Sequence, residues 1–143
     1  MAGPGARRRA RGYALQVMYS LDLNDEPSVD AALEKFWASF EQAEGDAAAV
    51  EFADKLVRSA YAQLGEVDDV VKKASKNWRL ERMSRVDRNI LRLATYELLA
   101  APEVPVRVVI NEAVELAKLF GAEESPAFVN GILDRIAQPL KRT

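Results

Sequence analysis

The chain of 143 residues contains no cysteine and no histidine. Without cysteine it forms no disulfide and no thiolate metal site, and without histidine it lacks the commonest general base and the commonest zinc ligand. No apolar run approaches the roughly 20 residues that a helix needs to span a bilayer. Residues Tyr13–Leu23 are too interrupted by polar side chains to form the core of a signal peptide. These absences lead us to expect a soluble cytoplasmic protein without a metal site.

Glycine and proline are also scarce, with seven and six residues, and most of them fall between segments of helical periodicity. Apolar residues in those segments recur at three- and four-residue spacing, which is typical of amphipathic helices. We therefore predict an all-α protein of about seven helices that forms one domain over residues 1–143. The boundary signals place the seven helices at 4–23, 28–45, 46–65, 67–78, 84–100, 105–121 and 125–139. In these ranges Asp46 and Ser125 are the predicted N-caps of the third and seventh helices, and Gly45, Gly65, Gly121 and Pro139 are the predicted stops.

Three local signals have particular structural meaning. Ser84 followed three residues later by Asp87 predicts a helix start in which the Ser84 hydroxyl accepts from the Asp87 N–H and the carboxylate returns a bond. Residues 104–110 are rich in valine and resemble a strand, but apolar residues continue beyond them at helical spacing, so we predict a helix there. Gly131 lies inside a helical pattern, where it would allow another helix to approach closely.

The charge is distributed unevenly, although the formal net charge is only −2. Residues 1–20 carry four arginines and no acid, residues 21–70 are strongly acidic, and residues 71–143 are net positive. A basic cluster without neighbouring acids produces a local positive potential that attracts polyanions, whatever the net charge. The cluster is therefore a candidate polyanion contact, with a solvated helix end as the alternative, and its members are Arg7, Arg8, Arg9 and Arg11.

A second basic stretch extends from Lys72 to Arg92 and contains eight cations against two acids. On the predicted fifth helix, apolar residues leave open a strip shared by Arg85, Arg88, Arg92 and Thr95. We expect the two basic surfaces to form one track for the phosphates of a nucleic acid, and solvated helix surface is the alternative. Exposed aromatic side chains would add base stacking, and the candidates are Tyr13, Tyr19, Trp78 and Phe128.

The sequence contains no motif of a catalytic centre. It has no glycine-rich phosphate-binding loop and no nucleophile elbow. Adjacent acids such as Asp68 and Asp69 point in different directions on a helix, so they do not form a pair of catalytic carboxylates. We predict that the protein is not an enzyme and requires no cofactor.

Three segments of the chain carry a family pattern, namely Ala6–Ser20, Val86–Leu98 and the segment from Val104 through Ile110–Lys118 and Phe120–Glu123 to Phe128–Asp134. They resemble the bacterial NusB family of transcription antitermination factors, the third segment most specifically, whereas residues 22–75 carry little family signal. The resemblance implies an all-helical fold of two packed subdomains that binds the boxA element of nascent ribosomal RNA. It also implies a heterodimer with the ribosomal protein NusE, and assembly with NusA, NusG and RNA polymerase to suppress premature termination.

The resemblance also assigns candidate site residues. Those for RNA binding are Arg7, Arg8, Arg9, Arg11, Lys118, Glu124 and Phe128, and those for partner binding are Tyr19, Glu81, Asp87 and Arg88. Two other functions remain open at this point, namely a relative of the RNA-binding domain of RNA cytosine methyltransferases and a helical protein-interaction module. Homodimerisation is open as well.

Overall fold

The computed structural model describes residues 3–39, 46–76 and 78–140. Within these ranges the chain forms seven α-helices, two short 3₁₀ turns and no strand, which confirms the all-α prediction. The helices are α1 (Pro4–Leu23), α2 (Val29–Ser39), α3 (Ala47–Ala62), α4 (Leu64–Ala74), α5 (Arg85–Ala100), α6 (Val106–Phe120) and α7 (Ser125–Ala137), and the 3₁₀ turns are Leu80–Arg82 and Gln138–Leu140. Among the described helices, none combines the length and hydropathy that crossing a membrane requires.

The chain divides into two compact units, Met1–Ala62 (unit 1) and Gln63–Thr143 (unit 2). This division matches the two helical subdomains that the family resemblance implies, and the single-domain assignment stays a prediction. In unit 1, α1 packs mainly against α3 and also contacts α2. Small buried residues on both helices, including Ala10 and Ala14 on α1 and Ala49 and Ala53 on α3, allow the two backbones to approach closely.

Helix α5 is the central helix of unit 2, where it packs against α4, α6 and α7. Ile90, Leu91 and Leu98 are almost completely buried, as expected for a helix that is apolar around most of its circumference. Thr95 is also completely buried, so the prediction that it shares a solvent-facing strip with the arginines is wrong. The helix is enclosed on this side as well because α4, α6 and α7 cover it on several faces.

Two of the predicted helix starts, those at Ser84 and Ser28, are confirmed by side-chain caps. Ser84 Oγ accepts from the Asp87 N–H at 3.1 Å, and Ser28 Oγ accepts from the Ala31 N–H at 3.0 Å. The return bond of the capping box is not made by Asp87 Oδ1, which is buried without a hydrogen-bond partner. Helix α6 replaces the valine-rich strand candidate, as predicted, with Pro105 as the residue that precedes it.

Two glycine predictions are wrong. Gly65 does not end the third helix, since α3 ends at Ala62 and Gly65 lies in the first turn of α4. Gly131 does not allow a close helix approach, because a Cβ atom built there meets no atom within 4 Å. The prediction that the second helix ends at Gly45 lies outside the described residues.

Candidate nucleic-acid interface

The arginine cluster occupies the first half of α1, whose first turn contains no acidic residue. Two of its members contact the same ring of α3: the guanidinium of Arg7 lies 5.2 Å from the centroid of Phe52, and that of Arg11 lies 5.6 Å from it. Arg11 is only 5% exposed. Its planar cation is held against the aromatic ring, which is an attractive arrangement because the ring face carries negative partial charge. Arg11 therefore helps to join α1 to α3.

Arg9 makes a different contact within unit 1. Its Nε and Nη2 atoms donate to the two carboxylate oxygens of Asp46 at 2.8 and 2.9 Å, and the Tyr13 hydroxyl donates to Asp46 Oδ2 at 2.6 Å. Asp46 directly precedes α3, at the predicted N-cap position, and its carboxylate accepts hydrogen bonds from these two side chains of α1. The Arg9 side chain remains 54% exposed, so part of its guanidinium stays accessible to solvent although Asp46 offsets its charge and fixes its position.

The four arginines are therefore not equivalent. The prediction treated them as one outward-facing cluster, yet Arg7, Arg9 and Arg11 each have a defined partner in unit 1. The side chain of Arg8 is exposed. The sequence did not indicate that Asp46 and Phe52 would bind arginines of this cluster. These contacts join residues that are 37 or more positions apart, and no local pattern predicts them.

The Asp46 contact predicts a specific dependence of stability on pH. Hydrogen bonds from Arg9 and then from Tyr13 lower the pKa of Asp46 from 3.8 to about 2. A carboxyl group with a depressed pKa in the folded state stabilises that state above its unfolded pKa, and the contribution is lost as the pH falls through the folded pKa. We expect the stability difference between wild type and Asp46→Asn to be constant above about pH 4 and to shrink between about pH 4 and pH 2.

Urea denaturation at a series of pH values measures this difference. The Tyr13→Phe variant removes one of the two donors and should lose part of the same pH-dependent contribution. A difference between wild type and Asp46→Asn that stays constant down to pH 2 would contradict the assignment.

A second candidate surface lies around the turn between α6 and α7. Gly121 ends α6 as predicted, and Ser125 is the first residue of α7, where its hydroxyl accepts from the Ala122 N–H at 2.9 Å. This bond stabilises the turn between α6 and α7, so the Ser125 hydroxyl binds the preceding loop and does not cap α7 as predicted. Glu124 is exposed and Phe128 is half-buried one turn further on. Lys118, near the end of α6, is exposed and contacts Glu115 at 3.5 Å.

The arginines of α5 do not form the predicted open basic strip. Arg92 donates from Nε and Nη2 to the two carboxylate oxygens of Asp68 at 2.8 and 2.9 Å, and its side chain is 11% exposed. Arg88 Nη1 donates to the carbonyl oxygens of Leu80 and Met83 at 3.0 and 3.3 Å. Both cations therefore hold unit 2 together. The exposed cations of the second basic stretch are instead Lys72 and Lys73 at the end of α4, and Lys76, Arg79, Arg82 and Arg85 after it.

The predicted partner-binding residues divide between the two units. Tyr19 lies on α1 in unit 1 and is 36% exposed. Glu81, Asp87 and Arg88 lie close together in the sequence at the start of α5 in unit 2, where Glu81 is exposed. No group of three or more acidic residues able to hold a metal ion occurs in the part of the chain that the structure describes.

Comparison with known proteins identifies the family. The sequence profile of the NusB family matches residues 8–138. The chain is 48% identical to the transcription antitermination protein NusB of Myxococcus xanthus strain DK1622 over 139 residues, which cover 96% of this chain and 99% of that protein. It is 51% identical to the transcription antitermination protein NusB of Anaeromyxobacter sp. strain Fw109-5, over 94% of this chain and 91% of that protein. The chain belongs to the NusB family.

Solved structures of the NusB family share the fold. A structure of T. maritima NusB superimposes with a TM-score of 0.80 and 38% identity, covering 96% of this chain and 93% of that chain. A crystal structure of the antitermination factors NusB and NusE in complex with dsRNA contains a chain that matches with a TM-score of 0.81 and 28% identity, covering 96% and 99%. These matches confirm the family and the all-helical fold that the resemblance implied.

Proposed function

We propose that this protein is a transcription antitermination factor that binds the boxA RNA of nascent ribosomal transcripts together with NusE. The observation that carries the proposal is the near-complete match to antitermination proteins, combined with the likeness to a NusB chain in a solved complex with NusE and dsRNA. In this proposal the pair joins NusA, NusG and RNA polymerase. The role involves no catalysis and no cofactor, and transcription in bacteria places it in the cytoplasm.

The residues of α1 support an electrostatic role in RNA binding. The first turn of α1 contains no acid, and the exposed Arg8 and half-exposed Arg9 present positive charge to solvent. Phosphate contacts supply most of the sequence-independent affinity for RNA. Arg7 and Arg11 contribute through their contacts with Phe52, which hold this part of α1 in place. Removal of the surface charge should therefore weaken binding to all RNAs.

The remaining candidates complete the proposed interface. Lys118, Glu124 and Phe128 would contact RNA, while Tyr19, Glu81, Asp87 and Arg88 would contact NusE. The environment of Asp87 favours a partner contact, because its buried Oδ1 atom accepts no hydrogen bond from any described residue. A buried carboxylate oxygen without a donor is unfavourable, and a donor from a bound protein would satisfy it.

A titration of labelled RNA tests the proposal. The protein is titrated into single-stranded boxA RNA and into a scrambled RNA of the same composition, with and without NusE, at two salt concentrations. We expect boxA RNA to bind more tightly than scrambled RNA, and NusE to increase the preference. The logarithm of affinity should fall with the logarithm of salt by about 0.7 for each phosphate contact.

Two variants that each remove one positive charge refine this test. Arg8→Ala should lower the affinity for boxA and for scrambled RNA and reduce the salt slope. Arg107→Ala removes an exposed arginine of α6 outside the candidate interface and should leave the two affinities and the salt slope unchanged. Equal affinity for boxA and scrambled RNA in the presence of NusE would refute the proposed function and favour a general protein-interaction module.

A further inference from the structure

A pocket of unit 2 contains only one of the site residues that the family resemblance assigns, namely Glu81. It has a volume of about 480 Å³ and is formed at the end of α4 and the turn that follows, mainly by Lys72, Ser75, Lys76, Trp78, Arg79 and Glu81. Ligand pockets of proteins commonly have volumes of about 300–1,000 Å³. The pocket is therefore large enough for a nucleotide.

Trp78 is exposed and nevertheless fixed. The residue is 55% exposed, yet its ring contacts Phe128 edge to face, with centroids 5.9 Å apart and planes at 82°. The backbone N–H of Trp78 donates to the Ser75 carbonyl at 2.9 Å. The buried Ser75 hydroxyl, in turn, lies 2.7 Å from the Val71 carbonyl oxygen and 3.3 Å from that of Trp78. An exposed indole that is held by its backbone and one ring contact offers a rigid surface for stacking.

Three cations line the same pocket as this indole. Lys72, Lys76 and Arg79 are exposed, and none of them forms an ion pair with another described residue. Among the described residues that line the pocket, Glu81 is the only acidic one. Lysines in a last helical turn can interact favourably with the helix dipole. However, Arg135 already donates to the Ala74 carbonyl of α4 at 2.6 Å, and Arg79 lies beyond the helix. An interaction with the C-terminal end of α4 therefore does not by itself explain why three cations line this pocket.

We propose that this pocket binds one nucleotide of a single-stranded RNA, with the base stacked on Trp78 and the flanking phosphates bound by Lys72, Lys76 and Arg79. The inference deepens the proposed function, on which it rests, by assigning base stacking to Trp78, one of the four aromatic candidates of the sequence, and by naming the cations that would bind the flanking phosphates. Aromatic side chains combined with a positive groove are the common means of binding single strands. An acidic protein segment would use the cations but would gain little from a rigid exposed indole.

The fluorescence of Trp78 reports directly on stacking. The chain has two tryptophans, and Trp37 lies in unit 1, where its Nε1 donates to Asp54 at 3.1 Å. In a Trp37→Phe variant all tryptophan emission comes from Trp78. We expect single-stranded boxA RNA to quench this emission to saturation, and poly-glutamate at equal charge to leave it unchanged. Quenching by poly-glutamate and not by RNA would overturn the proposal in favour of an acidic protein partner.

Affinity measurements on otherwise wild-type protein provide the second test. Trp78→Ala should weaken boxA RNA binding, with NusE present, by about 5-fold to 100-fold, and Trp78→Phe should retain most of the affinity because phenylalanine also stacks. Lys76→Ala and Arg79→Ala should each reduce the salt slope by about 0.7. Lys73→Ala is the matched control, since Lys73 is exposed on α4 next to Lys72 but does not line the pocket.

The outcomes separate this inference from the function on which it rests. If wild type binds boxA RNA and the Trp78 and Lys76 variants bind it equally well, the pocket is not an RNA site and the proposed function stands. If wild type binds no RNA with NusE present, both fail. Loss of affinity in Trp78→Ala with unchanged affinity in Lys73→Ala supports the pocket.

Discussion

Replacing Asp68 by alanine is expected to lower the free energy of unfolding by about 2–3 kcal/mol. Asp68 of α4 receives two hydrogen bonds from Arg92 of α5, at 2.8 and 2.9 Å, and the two side chains are 16% and 11% exposed. Removal of the carboxylate leaves a largely buried guanidinium without its counter-charge. The expected loss is below that of a completely buried pair because Arg92 still contacts Asn89 at 3.1 Å and reaches some solvent.

Urea denaturation followed by circular dichroism measures the change. The double variant Asp68→Ala/Arg92→Met removes the unpaired charge and should recover at least half of the lost stability, because a hydrophobic side chain can replace a buried ion pair at little cost. The double-mutant cycle then isolates the coupling between the two residues. A destabilisation below about 0.5 kcal/mol in Asp68→Ala would mean that the pair behaves as an ordinary surface ion pair.

Replacing Gly121 by alanine is expected to destabilise the protein by about 1–3 kcal/mol. A Cβ atom at this position would lie 2.6 Å from both Cβ and Oγ of Ser125 and 2.8 Å from the Ala117 carbonyl oxygen. Two of these three atoms belong to a short side chain that is itself buried, and the third is backbone, so the turn must shift to make room. The shift would strain the bond between Ser125 Oγ and the Ala122 N–H.

Gly131→Ala is the matched control for this substitution. The position lies inside α7, and an added Cβ meets nothing within 4 Å. Alanine has a higher helix propensity than glycine, so this variant should gain about 0.5–1 kcal/mol. Thermal unfolding of both variants should give melting temperatures on opposite sides of wild type. Equal shifts in the same direction would contradict the difference between the two environments.

Much of the fold could be predicted from local sequence. The Ser84 cap depends on residues three positions apart, and the helical periodicity after Val104 extends far enough to exclude a strand. The two glycine errors have a different origin. Whether Gly65 ends a helix and whether Gly131 faces a neighbour depend on the packing of distant segments, which the local pattern does not contain.

The candidate site could be predicted only as a set of residue types. The sequence shows four arginines on one helix, but the contacts that distinguish them come from Asp46 and Phe52 on or just before α3. The second basic stretch shows the same limit, because Arg92 is neutralised by a carboxylate 24 positions earlier. A count of charges along the chain treats such residues as equal, whereas the folded units separate structural cations from exposed ones.

The shared ring of Phe52 couples two positions of the arginine cluster. Since Arg7 and Arg11 both contact this one ring, loss of the aromatic group removes a partner from each of them at once. The effects of substitutions at the three positions on stability are therefore non-additive. In a protein that already lacks Phe52, a substitution of either arginine removes no ring contact and destabilises the fold less. In evolutionary terms the three residues form an epistatic unit, and a scan that changes one residue at a time would misjudge the weight of each.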